Sequence, residues 1–318
     1  GNNANWYVTY GANGTDFKAM TLAEGEKLGA KHVWSIEASG DAYKFQSCNL
    51  GKYPSLIAAG ATSQITSEVA GATKFKFTHN GAAKFTIRDS DGRRMRTEGS
   101  GAINHWGTDE ENDETWYIIP ATGLEITISK AGWGTIYLPF DVVVPNTVEA
   151  YAVTATSKDY ATLTKMEDIP EKQGAILKGE EGTHTLTIAN ATSDWTGNKL
   201  EGTFVNTYVG KGAYVLAKPT IDEVAQPVGF YKATLNKNEN GGNGETHFLN
   251  SANKAYLPAS AVPSDARFLS FDFGNETAIE SVEGAENGAN AVIYDLSGRR
   301  VQKAQKGLYI VNGAVVIK

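Results

Sequence analysis

The stretch AINHWGTDEENDETWYII, at positions 102–119, brings together side-chain types that bind sugars. Asn104 supplies an amide and Trp106 an indole, and acidic residues follow closely. An indole face stacks on the apolar C–H face of a pyranose, while amides and carboxylates hydrogen-bond its hydroxyls. The stretch also fits a plain loop between two strands, with Trp106 packed as a core or cap residue. The architecture around it has to decide between the two interpretations.

The acidic residues near this stretch have simpler interpretations than metal binding. The run DEENDE at 109–114 lacks the spaced oxygens and glycine of a calcium loop, so it is interpreted as a solvated acidic loop. Asp89 and Asp91 flank a turn that ends in Gly92, where Asp is favoured for local backbone hydrogen bonds. Cys48 is the only cysteine, which excludes an internal disulfide and a cysteine-based zinc site. We expect neither a metal nor a cofactor.

Composition limits the classes of partner. The chain has 318 residues, of which 41% are hydrophobic and 20% charged, as in an ordinary globular protein with two or more domains. Its formal net charge is -7 and it has no long run of Lys or Arg, which argues against nucleic acid as a partner. No apolar stretch approaches the roughly 20 residues that cross a bilayer. We expect a monomer with no membrane span.

Short β-branched and aromatic runs, such as TIYLPFDVVVP and RFLSFDFG, are separated by Gly, Asn and Asp along most of the chain. This pattern predicts an all-β fold. The one helical candidate, TLAEGEKLGA at 21–30, contains two glycines and is interpreted as a loop or short turn. The polar segment NKNENGGNGE at 236–245 is predicted to be a flexible hairpin tip or insertion.

An aromatic-x-apolar pattern recurs at a fixed spacing in the first third of the chain. It begins at Trp34, Phe75 and Trp116, and both 75 − 34 and 116 − 75 equal 41. A fixed period of this kind indicates three structural repeats. Strand alternation then places the three aromatic residues on one inward face, where they can close a single core.

Three units of about forty residues, each closing on such a strand, resemble a β-trefoil of the ricin B type. That family ends each unit with a Gln-x-Trp signature. In this chain His32, Thr73 and Glu114 occupy the positions of the Gln. The resemblance covers residues 1–121 and implies a β-trefoil there.

In a ricin-like unit that binds sugar, an Asp follows the first strand, a middle strand carries an aromatic platform, and an amide lies nearby. The resemblance implies that the third unit is the one able to bind sugar, since the second has no aromatic residue in its middle and the first is too short. The candidate carbohydrate-binding residues are Asp89, Asp91, Asn104, Trp106 and Asn112.

The remaining sequence predicts two further β regions. Residues 122–276 alternate apolar and polar residues, with prolines at strand ends, which favours a β-sandwich of about eight to ten strands. This region resembles accessory modules of secreted and surface proteins of Bacteroidetes. Residues 277–318 resemble the C-terminal sorting-type segment of the same bacteria, in which a strand, a Tyr-Asp-Leu-x-Gly-Arg turn and a Gly-Leu-Tyr-Ile-Val strand build a small antiparallel sheet.

These features favour a non-catalytic carbohydrate-binding accessory region of a secreted or cell-surface bacterial protein, with a glycan or polysaccharide as its partner. The chain lacks a Gly-x-Ser-x-Gly elbow, a His-Glu-x-x-His motif and a phosphate loop, so we expect any enzyme to lie upstream of Gly1. The alternative is a structural or adhesive surface protein whose trefoil binds no sugar. A sorting role of the tail and a terminal β-domain without one both remain open.

Overall fold

The computed structural model describes residues 6–12, 14–22, 27–56, 63–66, 69–108, 114–221, 223–273, 293–295, 300–301, 308–311 and 314–317. The chain divides into two compact units, residues 1–271 and 272–318. Every regular element in the described ranges is a β-strand or a single 3₁₀ turn. The predicted all-β fold is therefore confirmed.

Eleven strands form the described part of residues 6–117, together with 3₁₀ turns at Ala30–His32 and Val69–Gly71. The strands are β1 (Trp6–Tyr10), β2 (Phe17–Thr21), β3 (Trp34–Ser39), β4 (Ala42–Ser47), β5 (Tyr53–Ser55), β6 (Gln64–Thr66), β7 (Phe75–His79), β8 (Lys84–Asp89), β9 (Arg94–Thr97), β10 (Ile103–Trp106) and β11 (Trp116–Tyr117).

All pairings among these strands are antiparallel. Hairpins β1–β2 and β5–β6 stand as two-stranded sheets, and the remaining strands form a sheet in the order β10-β9-β8-β7-β4-β3, with β11 paired to β8. The three hairpins β1–β2, β5–β6 and β9–β10 meet through backbone bonds: Phe17 N donates to Ser63 O at 2.8 Å, and Ser63 N donates to Ile103 O at 3.2 Å. Phe17, Ser63 and Ile103 are fully buried at this junction.

The 41-residue spacing recurs in the strands. The starts of β5 and β9 differ by 94 − 53 = 41, and those of β7 and β11 by 116 − 75 = 41. Phe75 lies in the core of this region, and Trp34 and Trp116 pack against that core. Each indole donates from Nε1 to the first strand of a hairpin, Trp34 to Val8 O at 3.3 Å and Trp116 to Met95 O at 3.2 Å. The predicted sharing of one core by the three aromatic residues is confirmed.

Thr73 and Glu114, 41 residues apart, make equivalent hydrogen bonds. Thr73 Oγ1 accepts from the backbone N–H of Leu56 at 2.7 Å. Glu114 Oε2 accepts from the backbone N–H of Thr97 at 3.0 Å and also from its hydroxyl at 3.0 Å. Leu56 and Thr97 are 41 residues apart, as are Thr73 and Glu114. Each of the two side chains thus supplies an oxygen acceptor for a backbone N–H at equivalent positions.

Seventeen strands follow in residues 123–272, with a 3₁₀ turn at Ala259–Ala261. They are β12 (Gly123–Ile128), β13 (Trp133–Tyr137), β14 (Val142–Val143), β15 (Val148–Thr156), β16 (Tyr160–Met166), β17 (Asp168–Ile169), β18 (Gly174–Gly179), β19 (Gly182–Ile188), β20 (Glu201–Thr203), β21 (Thr207–Gly210), β22 (Tyr214–Ala217), β23 (Thr220–Ile221), β24 (Val224–Ala225), β25 (Gly229–Lys232), β26 (His247–Asn250), β27 (Lys254–Tyr256) and β28 (Phe268–Asp272).

Two of the sheets in this region face each other as a β-sandwich. One has the order β12-β19-β14-β17 and the other β13-β18-β15-β16-β28-β25-β22. Alternate residues of each strand point inward, so Leu124 and Leu186 from the first sheet meet Ile136 and Leu177 from the second in one apolar core. Ala30, from the N-terminal region, belongs to the same core.

A buried amide joins residues 6–117 to the sandwich. Asn49 is 1% exposed, and its Nδ2 donates to Tyr10 Oη at 2.6 Å and to Phe204 O at 2.6 Å. Its Oδ1 accepts from Asn253 Nδ2 at 2.8 Å, and the same nitrogen of Asn253 also donates to Tyr137 O at 3.1 Å. Each amide therefore bridges two segments that are distant in sequence.

The second unit contains a four-stranded antiparallel sheet in the order β30-β29-β31-β32. Its strands are β29 (Ile293–Asp295), β30 (Arg300–Val301), β31 (Leu308–Val311) and β32 (Ala314–Ile317). The predicted small antiparallel sheet of the tail is confirmed, and the predicted turn at 296–298 lies outside the described residues.

The acceptor role of Glu114 predicts a split between two substitutions. Glu114→Ala removes the partner of two donors of Thr97 and should lower the free energy of unfolding by about 1–3 kcal/mol. Glu114→Gln keeps a side-chain oxygen at the same place and should change it by less than about 0.5 kcal/mol. Urea unfolding of both variants measures the difference. Equal losses in the two variants would show that the charge of Glu114, and not its acceptor oxygen, stabilises the fold.

The buried position of Asn49 predicts a larger effect on the free energy of unfolding than the substitutions of Glu114. Asn49→Ala leaves groups of Tyr10, Phe204 and Asn253 without their partner, and should lower the free energy of unfolding by about 2–4 kcal/mol in denaturant titration. The matched control is Asn146→Ala at an exposed turn, which should shift it by less than about 0.5 kcal/mol. A loss at Asn49 no larger than the control would contradict the linking role.

Candidate functional site

Two turns form one corner of the third repeat. The first, residues 90–93, joins β8 to β9, and Gly92 adopts a φ of 82° there, which favours glycine. The second, residues 107–108, follows β10, whose last residue Trp106 pairs with Arg94. Arg88 Nη1 donates to Gly92 O at 2.6 Å and to Thr108 O at 3.0 Å. One guanidinium thus holds the two turns against each other.

Asp89 lies beneath this corner and is only 4% exposed. Its Oδ1 accepts from the backbone N–H groups of Asp91 at 3.0 Å and Arg93 at 2.8 Å, which fixes the first turn. Its Oδ2 accepts from Nδ1 of His105 at 2.6 Å, which attaches the turn to β10. Both oxygens of Asp89 therefore accept hydrogen bonds from within the protein, and Asp89 stabilises the corner from its buried side.

Asn104 is also turned away from solvent. It is 0% exposed, and its Nδ2 donates to Glu98 Oε1 at 2.8 Å within the β9–β10 hairpin. An amide in this position stabilises the hairpin and has no access to a ligand at the surface.

Trp106 has the opposite environment. It is 51% exposed, in contrast to Trp34 and Trp116, which pack on the core. The guanidinium carbon of Arg96 lies 5.8 Å from the centre of its ring, at a cation–π distance. The indole therefore presents a flat apolar surface to solvent, with Arg96 at one side.

Asp91 and Arg93 supply the exposed charges of the corner. Their side chains are 67% and 45% exposed, and Arg93 Nη1 lies 3.2 Å from Asp91 Oδ2. Together they offer hydrogen-bond acceptors and donors at the β8–β9 turn, which Arg88 holds against the turn that follows Trp106. Asp89, Asp91 and Trp106 are thus brought to one corner, Asn104 is enclosed in the hairpin behind it, and Asn112 lies outside the described residues.

Sequence reasoning missed the basic residues around the indole. Arg94 and Arg96 pair with Trp106 and Asn104 across the β9–β10 hairpin, so all four lie on one face. The signal was present in the string RRMR, where two arginines are two residues apart in β9, the strand that pairs with β10 and its Trp106. His105 was also missed as a member of the site, although it bonds directly to Asp89.

Within the described residues, no group of three or more His, Cys, Asp or Glu side chains is placed to hold a metal ion. No helix in the same ranges has the length and apolar character needed to span a membrane. The chain matches no known family model, and no curated protein is similar to it in sequence.

The role of Asp89 predicts that it matters for stability more than its exposed neighbour does. Asp89→Ala removes the acceptor for two backbone amides and for His105, and should lower the free energy of unfolding by about 2–4 kcal/mol. Asp91→Ala changes an exposed carboxylate and should lower it by less than about 0.5 kcal/mol. Guanidinium unfolding followed by circular dichroism measures both. Similar small effects of the two substitutions would mean that Asp89 does not organise the corner.

Proposed function

We propose that this chain is a non-catalytic carbohydrate-binding region of a secreted or cell-surface bacterial protein. Residues 6–117 form a ricin-like β-trefoil, and the third repeat binds one pyranose of a glycan. The trefoil assignment is supported by the three hairpins joined at one buried junction and by strand starts that recur every 41 residues.

The observation that carries the proposal is the exposure of Trp106 on a fixed corner. A half-exposed indole leaves an apolar face available for stacking, and a pyranose presents a matching apolar C–H face. Because Arg96 and the Asp89–His105 pair hold the surroundings in place, the indole needs little ordering when a ligand arrives.

Polar recognition falls to Asp91 and Arg93 in this proposal. A carboxylate accepts from one sugar hydroxyl while a neighbouring guanidinium donates to the next, which suits a pair of vicinal hydroxyls. Asp89 and Asn104 act as supports of the site and do not contact the sugar. The 41-residue spacing puts Ile65 at the place of Trp106 in the second repeat, so we propose a single site.

Affinity at such a site should be low. One stacked ring and a few hydrogen bonds commonly give dissociation constants of about 0.1–1 mM after ordering and desolvation costs. A glycan with several accessible residues, or a chain displayed in many copies on a surface, would raise the effective affinity. This weak single-site binding suits a region that keeps an enzyme or a cell close to a polysaccharide.

A structural or adhesive protein without sugar binding is the second candidate. It is favoured by the burial of Asp89 and Asn104, two of the five candidate residues, inside the fold.

The tail adds a further proposal: residues 277–318 act as a type IX-like sorting segment of a Bacteroidetes protein. Deleting this segment in the native host should abolish surface display, and unchanged display would contradict the sorting role.

Substitution of the platform tests the sugar site. A glycan array of the full chain identifies a ligand, and Trp106→Ala should weaken its binding about tenfold or more in calorimetric titration, since the stacked surface is lost. The control is Tyr160→Ala, since Tyr160 is also an aromatic residue that is about half exposed but lies in the sandwich. The affinity of this variant for the glycan should equal that of the unaltered chain. An array without any bound glycan, or equal affinity before and after Trp106→Ala, would favour the structural alternative.

A further inference from the structure

The β-sandwich has an open slit along one of its edges. β12 is an edge strand of one sheet and β13 an edge strand of the other. Residues of both strands line a cavity of about 210 Å³, together with Gly29 and Ala30 and with residues 252–254. An apolar cavity of about 150 Å³ is large enough to hold a benzene molecule, so this one can take a ligand of comparable or slightly larger size.

The largest side chains that line the slit are apolar, and polar residues such as Thr135 and Lys254 complete its lining. Leu124, Ile128, Ile136 and Leu177 line it, with their side chains in the core between the sheets. Such walls favour an alkyl chain or a single ring over a sugar. The slit is therefore distinct in chemistry from the Trp106 corner.

Two glycines keep the cavity open. A Cβ atom added at Gly134 of β13, or at Gly29 in the end turn, would meet no atom within 4 Å. Neither glycine has a positive φ, so backbone conformation does not require glycine at either position. Gly134 and Ile136 are two residues apart on β13 and therefore lie on the same face of the strand. A side chain at position 134 would point, like that of Ile136, into the space between the sheets.

One cation stands at the mouth of the slit. Lys254 lines the cavity, and its Nζ donates to Thr135 O of β13 at 3.3 Å. The residue as a whole is exposed, but desolvation of its ammonium end lowers the pKa of Lys254. Among the described residues it forms no ion pair, whereas Glu125 on the rim is paired with Lys27 at 3.4 Å. A desolvated ammonium of this kind gains most from an anionic group.

We propose that this slit binds a small amphiphilic carboxylate, with its alkyl chain or ring between β12 and β13 and its carboxylate on Lys254. The apolar walls supply the affinity for the chain, and the ammonium at the mouth distinguishes an acid from a neutral alcohol of the same length. This site is independent of the sugar site, so either can fail without the other.

Hexanoate and 1-hexanol are matched probes for the full-length chain. In methyl carbon–proton NMR spectra, hexanoate should shift the signals of Leu124, Ile136 and Leu177 with a millimolar dissociation constant, as expected for a ligand of this size. 1-Hexanol should bind at least tenfold more weakly. Lys254→Met should remove this difference by weakening hexanoate binding to the level of the alcohol.

Filling the slit supplies the second arm of the test. Gly134→Leu should abolish the shifts caused by hexanoate, while Gly99→Leu, at another glycine with open space and ordinary φ but outside the slit, should leave them unchanged. Absence of shifts at about 50 mM hexanoate, or shifts that persist in Gly134→Leu, would overturn the site. Equal binding of hexanoate and 1-hexanol would overturn its assignment to carboxylates.

Discussion

A carboxylate taken out of water must receive hydrogen bonds from the protein, and the geometry of the third repeat depends on how Asp89 meets that requirement. One oxygen is bonded by two backbone amides of the β8–β9 turn and the other by His105 on β10. The turn and the strand are thereby fixed to each other, and Trp106, the next residue after His105, is presented to solvent in one orientation. The proposed sugar platform is a consequence of a buried charge that never touches the sugar.

The need to hydrogen-bond buried polar groups also applies where residues 6–117 join the sandwich. With a single cysteine, the chain has no internal disulfide, and packing has to be supplemented by polar contacts between distant segments. Asn49 and Asn253 perform this function, because their amides bond each other and three further groups, on Tyr10, Tyr137 and Phe204, that come from both regions. Buried amides whose bonds are satisfied specify one arrangement, since any shift would leave several groups unpaired. The apolar slit nearby shows that this packing is not complete everywhere.

The sequence predicted much of the framework. Alternation and turn residues predicted the all-β fold, the sandwich and the tail sheet, and the 41-residue spacing predicted the shared core of Trp34, Phe75 and Trp116. The burial of individual side chains at the candidate site was harder to predict from the sequence. Asn104 and Trp106 lie on the same face of β10 and differ only in which neighbours cover them. The segment at 236–245, predicted to be a flexible hairpin tip or insertion, contains a turn in which Asn238 Oδ1 accepts from two backbone amides. Such contacts depend on three-dimensional neighbours that spacing alone does not give.

The central claim is that Trp106 is the surface on which a pyranose stacks. The chain has six tryptophans, so a nitrogen–proton NMR spectrum contains six indole signals that can be followed separately. The most direct measurement is a titration of the isotope-labelled chain with methyl glycosides of glucose, galactose, mannose and N-acetylglucosamine, with the Trp106 signal assigned from its loss in Trp106→Phe. The account predicts that at least one glycoside moves the Trp106 signal in a saturable manner while the other five stay in place. Movement of a different indole, or no movement with any glycoside up to about 50 mM, well above the expected dissociation constant of about 0.1–1 mM, would contradict it.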